Sequence, residues 1–215
     1  ANGVTEAHVV LDIALRLEKL LTAEPGFEVV LTRRTDTAVA LDRRTEIANE
    51  EAADLFVSIH ANSSSRRQTA GVETYFLNLA TDPEAEALAA RENAASAQAM
   101  HTLPQLVRAI TTNNKIAESR ELASMVQSSL VGRLKSRNEQ FQDLGVKQAP
   151  FVVLIGAQMP SILAEVAFLT NRTEARMLSQ PAYRQEIAQA LADAILQYRA
   201  SLKKADIVTA STGRR

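Results

Sequence analysis

The stretch LFVSIHAN at positions 55–62 begins with five residues of which four are apolar. Such a run is typical of a strand buried on both faces of a parallel sheet. His60, Ala61 and Asn62 follow it directly and should lie at the carboxyl edge of that sheet, where ligands bind in open α/β folds. The stretch therefore predicts an α/β fold and makes His60 a candidate metal ligand or proton-transfer group. The alternative is a hydrogen-bonded histidine at a strand end with no chemical role.

Helical and strand patterns alternate on both sides of this stretch. Apolar residues recur at helical spacing in segments 5–24, 41–52, 82–99 and 117–134. Further helices should begin at Asn171, with Glu174 completing a capping box, and at Pro181. Short apolar runs predict strands at 27–31, 71–77, 151–155 and 161–167. This order favours an α/β architecture.

The chain has 215 residues, and we expect residues 1–200 to form a single domain. Residues 81–115 contain no obvious strand pattern, so they should form a helical insertion, or a mobile cover, over a core that does not need them. From Ser201 the periodicity fades, and residues 201–215 should form a loose tail.

Composition narrows the possible partners and site chemistries. The net charge of −1 gives no reason to expect nucleic acid or an anionic membrane as a partner. No apolar run approaches the length of a membrane span. The chain has no cysteine and three histidines, so any metal must be held by His, Asp or Glu.

Glu165 lies inside the apolar run SILAEVAFL, where an unpaired carboxylate is energetically unfavourable. It should therefore be neutral, paired or associated with a metal. Burial can also raise its pKa toward the range useful for general acid–base catalysis. The alternative is a structural ion pair with a nearby arginine.

Four other residues have simpler explanations from their position alone. Glu6 complements the positive end of the first helix. Glu92 lies on what should be a solvated helix face. His8 points about 200° away from Glu6 around the helix, so it should be a surface or interface residue. His101 lies in the insertion and should be solvated, although its loop could reach the site.

Several segments together resemble the zinc-dependent N-acetylmuramoyl-L-alanine amidases of bacterial cell walls. The runs include FEVVLTRRTD, LDRRTEIAN, ADLFVSIHAN, GVETYFLN and APFVVLIGAQMPSILAEVAFLTN, and the match covers most of residues 3–200. The resemblance implies an α/β sandwich around a largely parallel sheet. It also implies hydrolysis of the amide between N-acetylmuramic acid and L-alanine in peptidoglycan, in the periplasm or the extracellular cell envelope.

The resemblance assigns roles to individual residues. Glu6 and His60 become Zn²⁺ ligands, Glu165 becomes the catalytic base, and Asn62 is expected at the substrate-binding rim. The family's first zinc ligand is a histidine in a Gly-His-Gly-Gly segment after its first strand. This sequence starts just after that point, so the expectation is that this strand and this ligand are missing from it.

The insertion also fits a subgroup of the family. Amidases that split dividing cells carry an extra helix after the strand that matches GVETYFL, and a glutamate of that helix binds the zinc and blocks the site. Glu92 is the expected blocking ligand, with Glu84 and Glu86 as alternatives. A coiled-coil activator protein would displace the helix.

Two other functional classes stay open at this point. One is a non-catalytic wall-binding or regulatory module with an incomplete metal site. The other is a different metal-dependent hydrolase on a similar sheet.

Overall fold

The computed structural model describes residues 5–94, 107–108, 110–111 and 113–212, with side chains as far as residue 203. Within these residues the helices are α1 (Glu6–Thr22), α2 (Leu41–Glu50), α3 (Pro83–Asn93), α4 (Ile116–Leu134), α5 (Arg172–Leu178) and α6 (Pro181–Thr212). The strands are β1 (Phe56–Asn62), β2 (Val72–Leu77), β3 (Asp143–Ala149) and β4 (Ser161–Phe168). Short 3-10 turns cover Lys135–Arg137 and Val152–Leu154.

The four strands form one sheet in the order β1-β4-β2-β3. β1 pairs with β4, and β2 pairs with β3, in parallel, whereas β2 and β4 are antiparallel. The sheet is therefore largely parallel, as the resemblance implied. Because its two parallel pairs run in opposite directions, the carboxyl ends of β1 and β4 share an edge with the amino ends of β2 and β3.

Helices cover both faces of this sheet and make the molecule a sandwich. Helices α1, α4 and α6 contribute to the apolar cluster on one face, together with the strand residues Val72 and Ile162. Helices α2 and α3 and the turn Val152–Leu154 contribute to the other cluster, together with Tyr75 and Leu163. Since alternate residues of a strand share a face, Glu165 lies on the same face as Leu163, beneath α3.

Helix α1 begins at its predicted capping residue. Thr5 Oγ1 accepts a hydrogen bond of 3.4 Å from the backbone N–H of His8, which leaves Glu6 in the first turn. Asp12 then accepts hydrogen bonds from Arg16 and Arg184, and the latter contact ties α1 to α6. These contacts fix the end of α1 that carries Glu6.

The strand predicted at 27–31 is wrong. These residues have no strand structure, and within the described residues no strand of the sheet pairs with them. Phe27 and Val29 are partly buried against the apolar cluster of α1, α4 and α6, and the Arg199 guanidinium lies 4.3 Å from the centre of the Phe27 ring. The apolar run therefore reflects packing beside helices and not strand pairing.

The strand predicted at 151–155 is also wrong, because Val152–Leu154 form a 3-10 turn. Side chains bond to its backbone: Thr45 Oγ1 donates to the Val153 carbonyl at 2.6 Å, and the Val152 N–H donates to Asn93 Oδ1 at 2.8 Å. Gly156 follows with φ +83°, a left-handed conformation that favours glycine. A short buried apolar run fits this turn as well as it fits a strand.

Strand β3 is missing from the sequence-based prediction. It contains Gly145, Lys147 and Gln148, and among the described strands it pairs with β2 alone. An edge strand with this composition lacks the apolar run by which the inner strands were predicted.

Two further segments differ in part from prediction. Asn171 caps α5 by accepting hydrogen bonds from the N–H groups of Thr173 and Glu174, but the Glu174 carboxylate accepts from Gly71 and Phe168 instead of returning to the cap. Helix α6 continues to Thr212, beyond the Ser201 position at which periodicity fades.

None of the helices in the described part of the chain combines the length and the apolar character that a membrane crossing needs.

Candidate active site

A partly buried histidine and a fully buried glutamate face each other across the parallel pair β1 and β4. His60 and Glu165 are register partners in this pair. The Glu165 side chain is fully buried, and neither of its carboxylate oxygens has a hydrogen-bond partner among the described residues. Such an arrangement is unfavourable for a purely structural carboxylate, because buried polar groups normally make hydrogen bonds.

Helix α1 brings Glu6 to the same place. Glu6 Oε1 accepts a hydrogen bond of 3.1 Å from the backbone N–H of Ala61 and lies 3.2 Å from His60 Nδ1. Glu6 therefore joins the start of α1 to the end of β1. From its position in the sequence alone, Glu6 needed no role beyond complementing the positive end of the helix. His8, two residues further along α1, is exposed.

Helix α3 contributes a second carboxylate to the site. Glu92 Oε2 lies 3.3 Å from His60 Nδ1, and the Glu92 side chain is 23% exposed. Glu84 and Glu86 are exposed, and Glu84 contacts Arg66 at 3.5 Å. Of the three glutamates considered for this helix, the structure thus brings only Glu92 to His60. His101 lies outside the described residues.

Burial and mutual attraction set the charges of this cluster. Burial disfavours a charged His60, but the carboxylates of Glu6 and Glu92 outweigh it and raise the pKa of His60 to about 10. Burial also acts against ionised Glu92, yet His60 and Arg91 hold its pKa below the usual value. Burial raises the pKa of Glu165 well above its ordinary value, and the negative charges of Glu92 and Glu6 add to this, although His60 opposes it. Glu165 is the carboxyl group that holds a proton most readily here.

The donor set fits a zinc ion. Two ligands of a tetrahedral zinc with bonds of 2.0–2.1 Å lie about 3.3 Å apart. The distances from His60 Nδ1 to Glu6 and Glu92 are 3.2 and 3.3 Å. Although both carboxylates are this close, Nδ1 makes no well-aligned hydrogen bond with a described residue, so a metal ion could take the place of the proton that the carboxylates favour on the imidazole. His60, Glu92 and Glu165 also present ligand atoms within 4.8 Å of one another.

A chain of polar side chains continues from His60 along the sheet edge. Asn62 Nδ2 donates to Glu73 Oε1 at 2.8 Å, and Lys147 Nζ donates to Glu73 Oε2 at 2.7 Å. On its other side, Asn62 Oδ1 accepts from Arg91 Nη2 at 2.8 Å. Asn62, predicted at the substrate rim, is therefore linked to β2, to β3 and to α3.

Three consecutive residues hold the last turn of α3 against the cleft. Arg91 also donates to the Ser63 carbonyl at 2.6 Å, and Glu92 reaches His60. Asn93 donates to the Pro150 carbonyl at 2.9 Å and accepts from the Val152 N–H at 2.8 Å. Position alone gave no reason to single out Arg91 and Asn93, because nothing in the sequence shows which helix end meets the sheet.

Comparisons with known proteins all point to the same family. A family model described as N-acetylmuramoyl-L-alanine amidase matches residues 1–197. The amidase AmiA of Escherichia coli K12 is 36% identical over 208 residues, covering 92% of this chain and 69% of AmiA. The amidase LytC of Bacillus subtilis 168 is 34% identical, covering 92% of this chain and 32% of LytC.

A solved structure shows the same architecture. The N-acetylmuramoyl-L-alanine amidase of Clostridium difficile 630 superposes with a TM-score of 0.70 at 29% identity, covering 93% of this chain and 87% of that one. The α/β fold and the amidase class of enzyme predicted from the sequence are thereby confirmed. The chain belongs to the N-acetylmuramoyl-L-alanine amidase family.

Proposed function

We propose that this protein is a zinc-dependent peptidoglycan hydrolase that cleaves the amide between N-acetylmuramic acid and L-alanine, and that α3 blocks its site in the conformation seen. The observation that carries the proposal is the convergence of Glu6 and His60 Nδ1 beside Glu165, a fully buried carboxyl group whose oxygens lack hydrogen bonds within the described residues. A metal site and a proton carrier beside it are the two parts that metal-assisted amide hydrolysis uses.

In this proposal, some residues of the site bind the metal and another transfers the proton. Zinc, when bound, polarises a carbonyl oxygen and lowers the pKa of water toward about 7. Glu6 and His60 hold the ion, and the Ala61 N–H keeps the Glu6 carboxylate in place. Glu165 accepts a proton from the attacking water and passes it to the leaving amine nitrogen. Burial raises its pKa above that of an ordinary carboxyl group, which makes the ionised carboxylate a stronger proton acceptor.

We further propose that Glu92 is a zinc ligand in the closed conformation and competes with water and substrate for the metal. Its distance of 3.3 Å from His60 Nδ1 supports this role. A partner protein, for which a coiled-coil activator is the expected kind, would open the site by binding α3 and withdrawing it. Because peptidoglycan lies outside the cytoplasmic membrane, we place the enzyme in the periplasm or the extracellular cell envelope.

Metal content and product release test this function. We expect about one zinc per chain and release of stem peptides from peptidoglycan, and His60→Ala should abolish both. Glu92→Ala should raise the basal rate at saturating zinc, whereas Glu50→Ala on the exposed part of α2 should not. Protein that binds no zinc and releases no peptide would instead be a wall-binding module. Zinc binding without cleavage of the muramoyl amide would indicate a different hydrolase.

A further inference from the structure

The side-chain amide of Asn62 has both of its ends occupied. Nδ2 donates to Glu73 Oε1 at 2.8 Å, and Oδ1 accepts from Arg91 Nη2 at 2.8 Å. Asn62 is 6% exposed and Glu73 is 3% exposed, so the amide is held on the inner side by a buried carboxylate. On the outer side it meets Arg91, whose side chain is 46% exposed.

The direction of this amide is fixed by its neighbours. An ionised carboxylate only accepts hydrogen bonds, and an ammonium group only donates them. Lys147 donates to Glu73 Oε2 at 2.7 Å, which keeps Glu73 an acceptor toward Asn62. Turning the amide over would place Oδ1 against Glu73 Oε1 and Nδ2 against Arg91, two contacts between like groups. Asn62 therefore presents an acceptor, and not a donor, toward α3.

The backbone at Asn62 reinforces this placement. The pairing of β1 with β4 shifts register between His60 and Asn62, which is a local bulge. Bulges re-aim side chains near active sites. The Asn62 carbonyl accepts from the Leu169 N–H at 2.8 Å, which holds the strand end after the bulge. Asn62 Oδ1 is thus an oriented acceptor two residues from the imidazole at the metal site.

We propose that Glu73, backed by Lys147, is a positioning residue that aims Asn62 Oδ1 at an amide N–H of the substrate, and that Arg91 occupies this acceptor when α3 is closed. The inference rests on the proposed function. A muramoyl peptide carries amide N–H groups on both sides of the bond to be cut, and each is the kind of donor that a fixed carbonyl-type oxygen recognises. Arg91 supplies a donor of the same kind.

The arrangement explains why neighbouring residues of α3 meet two different parts of the site. Arg91 covers the acceptor for the substrate, and Glu92 meets the imidazole at the metal site. One movement of the helix end frees both. A closed state that competes with substrate multiplies the apparent KM by the inverse of the open fraction but leaves kcat unchanged once substrate is saturating.

A series of full-length variants tests the orientation of Asn62 with a soluble muramoyl peptide as substrate. Arg91→Ala should lower KM with little change in kcat. In the Arg91→Ala protein, Glu73→Gln is then added. The amide oxygen of the new glutamine would accept from Lys147 and its NH₂ group would donate to Asn62 Oδ1, so the Asn62 amide turns over and presents Nδ2 to the cleft. KM should then rise about tenfold, the effect of one hydrogen bond, with kcat and zinc content preserved. Adding Asn62→Asp returns an acceptor to the cleft and should restore KM.

The controls separate this inference from the function on which it rests. Glu50→Gln removes an exposed carboxylate from α2 and should leave KM unchanged. If the parent protein cleaves the substrate but Glu73→Gln leaves KM unchanged, or Asn62→Asp fails to restore it, the inference is wrong and the function stands. If Glu73→Gln does not fold, an unchanged KM in Arg91→Ala still refutes the role of Arg91. Absence of turnover in every folded protein refutes the proposed function itself.

Discussion

Glu165 on β4 and Glu174 on α5 are both completely buried carboxyl groups, yet their surroundings are opposite. Glu174 Oε1 accepts a hydrogen bond of 2.9 Å from the Gly71 N–H, and Oε2 accepts one of 2.7 Å from the Phe168 N–H. Glu165 has no such partner within the described residues. The difference teaches that burial alone does not mark a reactive carboxylate, because the backbone can satisfy one and leave another unpaired.

The partners of Glu174 show what such a carboxylate does for the fold. It joins the amino end of β2 to the carboxyl end of β4. Gly71 has φ +120°, and a Cβ there would lie 1.9 Å from the Gln142 carbonyl oxygen, so the chain passes too closely for any other residue. Glu174 therefore fixes a crowded crossing beside the site, whereas Glu165 is free to exchange a proton.

The largest expected effect is on turnover. Glu165→Gln should lower kcat by about 10²–10⁴-fold, the usual contribution of a general base. Zinc content should stay the same, and the melting temperature of the metal-free protein should not fall, because Glu165 makes no hydrogen bond with a described residue that the substitution would remove. Steady-state kinetics, metal analysis and thermal unfolding measure the three quantities. Glu50→Gln is the control, and a kcat within tenfold of the parent at equal zinc would contradict the assigned role.

Glu174→Ala should have the opposite profile and mainly affect stability. It removes two hydrogen bonds to the buried carboxyl group and leaves two buried N–H groups without a partner, so the free energy of unfolding should fall by about 4 kcal/mol. Urea denaturation measures this change. Glu50→Ala should change it by less than about 0.5 kcal/mol. The folded Glu174→Ala protein should still turn over, and a loss of kcat as large as that of Glu165→Gln would erase the distinction between the two carboxylates.

Sequence reasoning reaches the centre of the site because His60 and Glu165 interrupt strongly apolar strands. The same reasoning treats Glu6 and Glu92 as ordinary helix residues, and only family resemblance singled them out. The structure shows why: their position depends on which helix ends meet the end of β1, and a local pattern does not contain that information. Arg91 and Glu73 act through contacts between distant segments and were missed for the same reason.

The fold was predicted best where the pattern was long or doubly buried. β1, β2 and β4 follow their apolar runs, and α1 follows its periodicity. Segments 27–31 and 151–155 also have apolar runs, but no strand among the described residues pairs with them. Residues 151–154 are buried in and beside a turn, whereas residues 27–31 are only partly buried or exposed, with Val30 47% exposed. β3 shows the converse, since pairing with β2 holds a polar sequence in the sheet. Strand pairing therefore cannot be predicted from the apolar pattern of a single segment.

The smallest expected effect is the pH dependence of the Glu174→Ala loss. Burial raises the pKa of Glu174 from an ordinary value of 4.5 to about 7, although the N–H groups of Phe168 and Gly71 act to lower it. A carboxyl group with a raised pKa binds its proton more tightly in the folded state. Its contribution to stability is therefore complete below about pH 4.5 and declines as pH rises through about 7, by at most about 3 kcal/mol.

Glu174→Ala should consequently lower the free energy of unfolding more at pH 5 than at pH 8. Subtracting the variant's value from the parent's at each pH cancels the contribution of the other carboxylates, which both proteins share. Urea denaturation of the metal-free proteins at both pH values measures it. An equal loss at both values would mean that the two backbone N–H groups keep Glu174 ionised throughout, in which case hydrogen bonding outweighs burial at this residue. Glu174 would then differ from Glu165 in charge as well as in contacts, because no N–H group opposes protonation of Glu165 within the described residues.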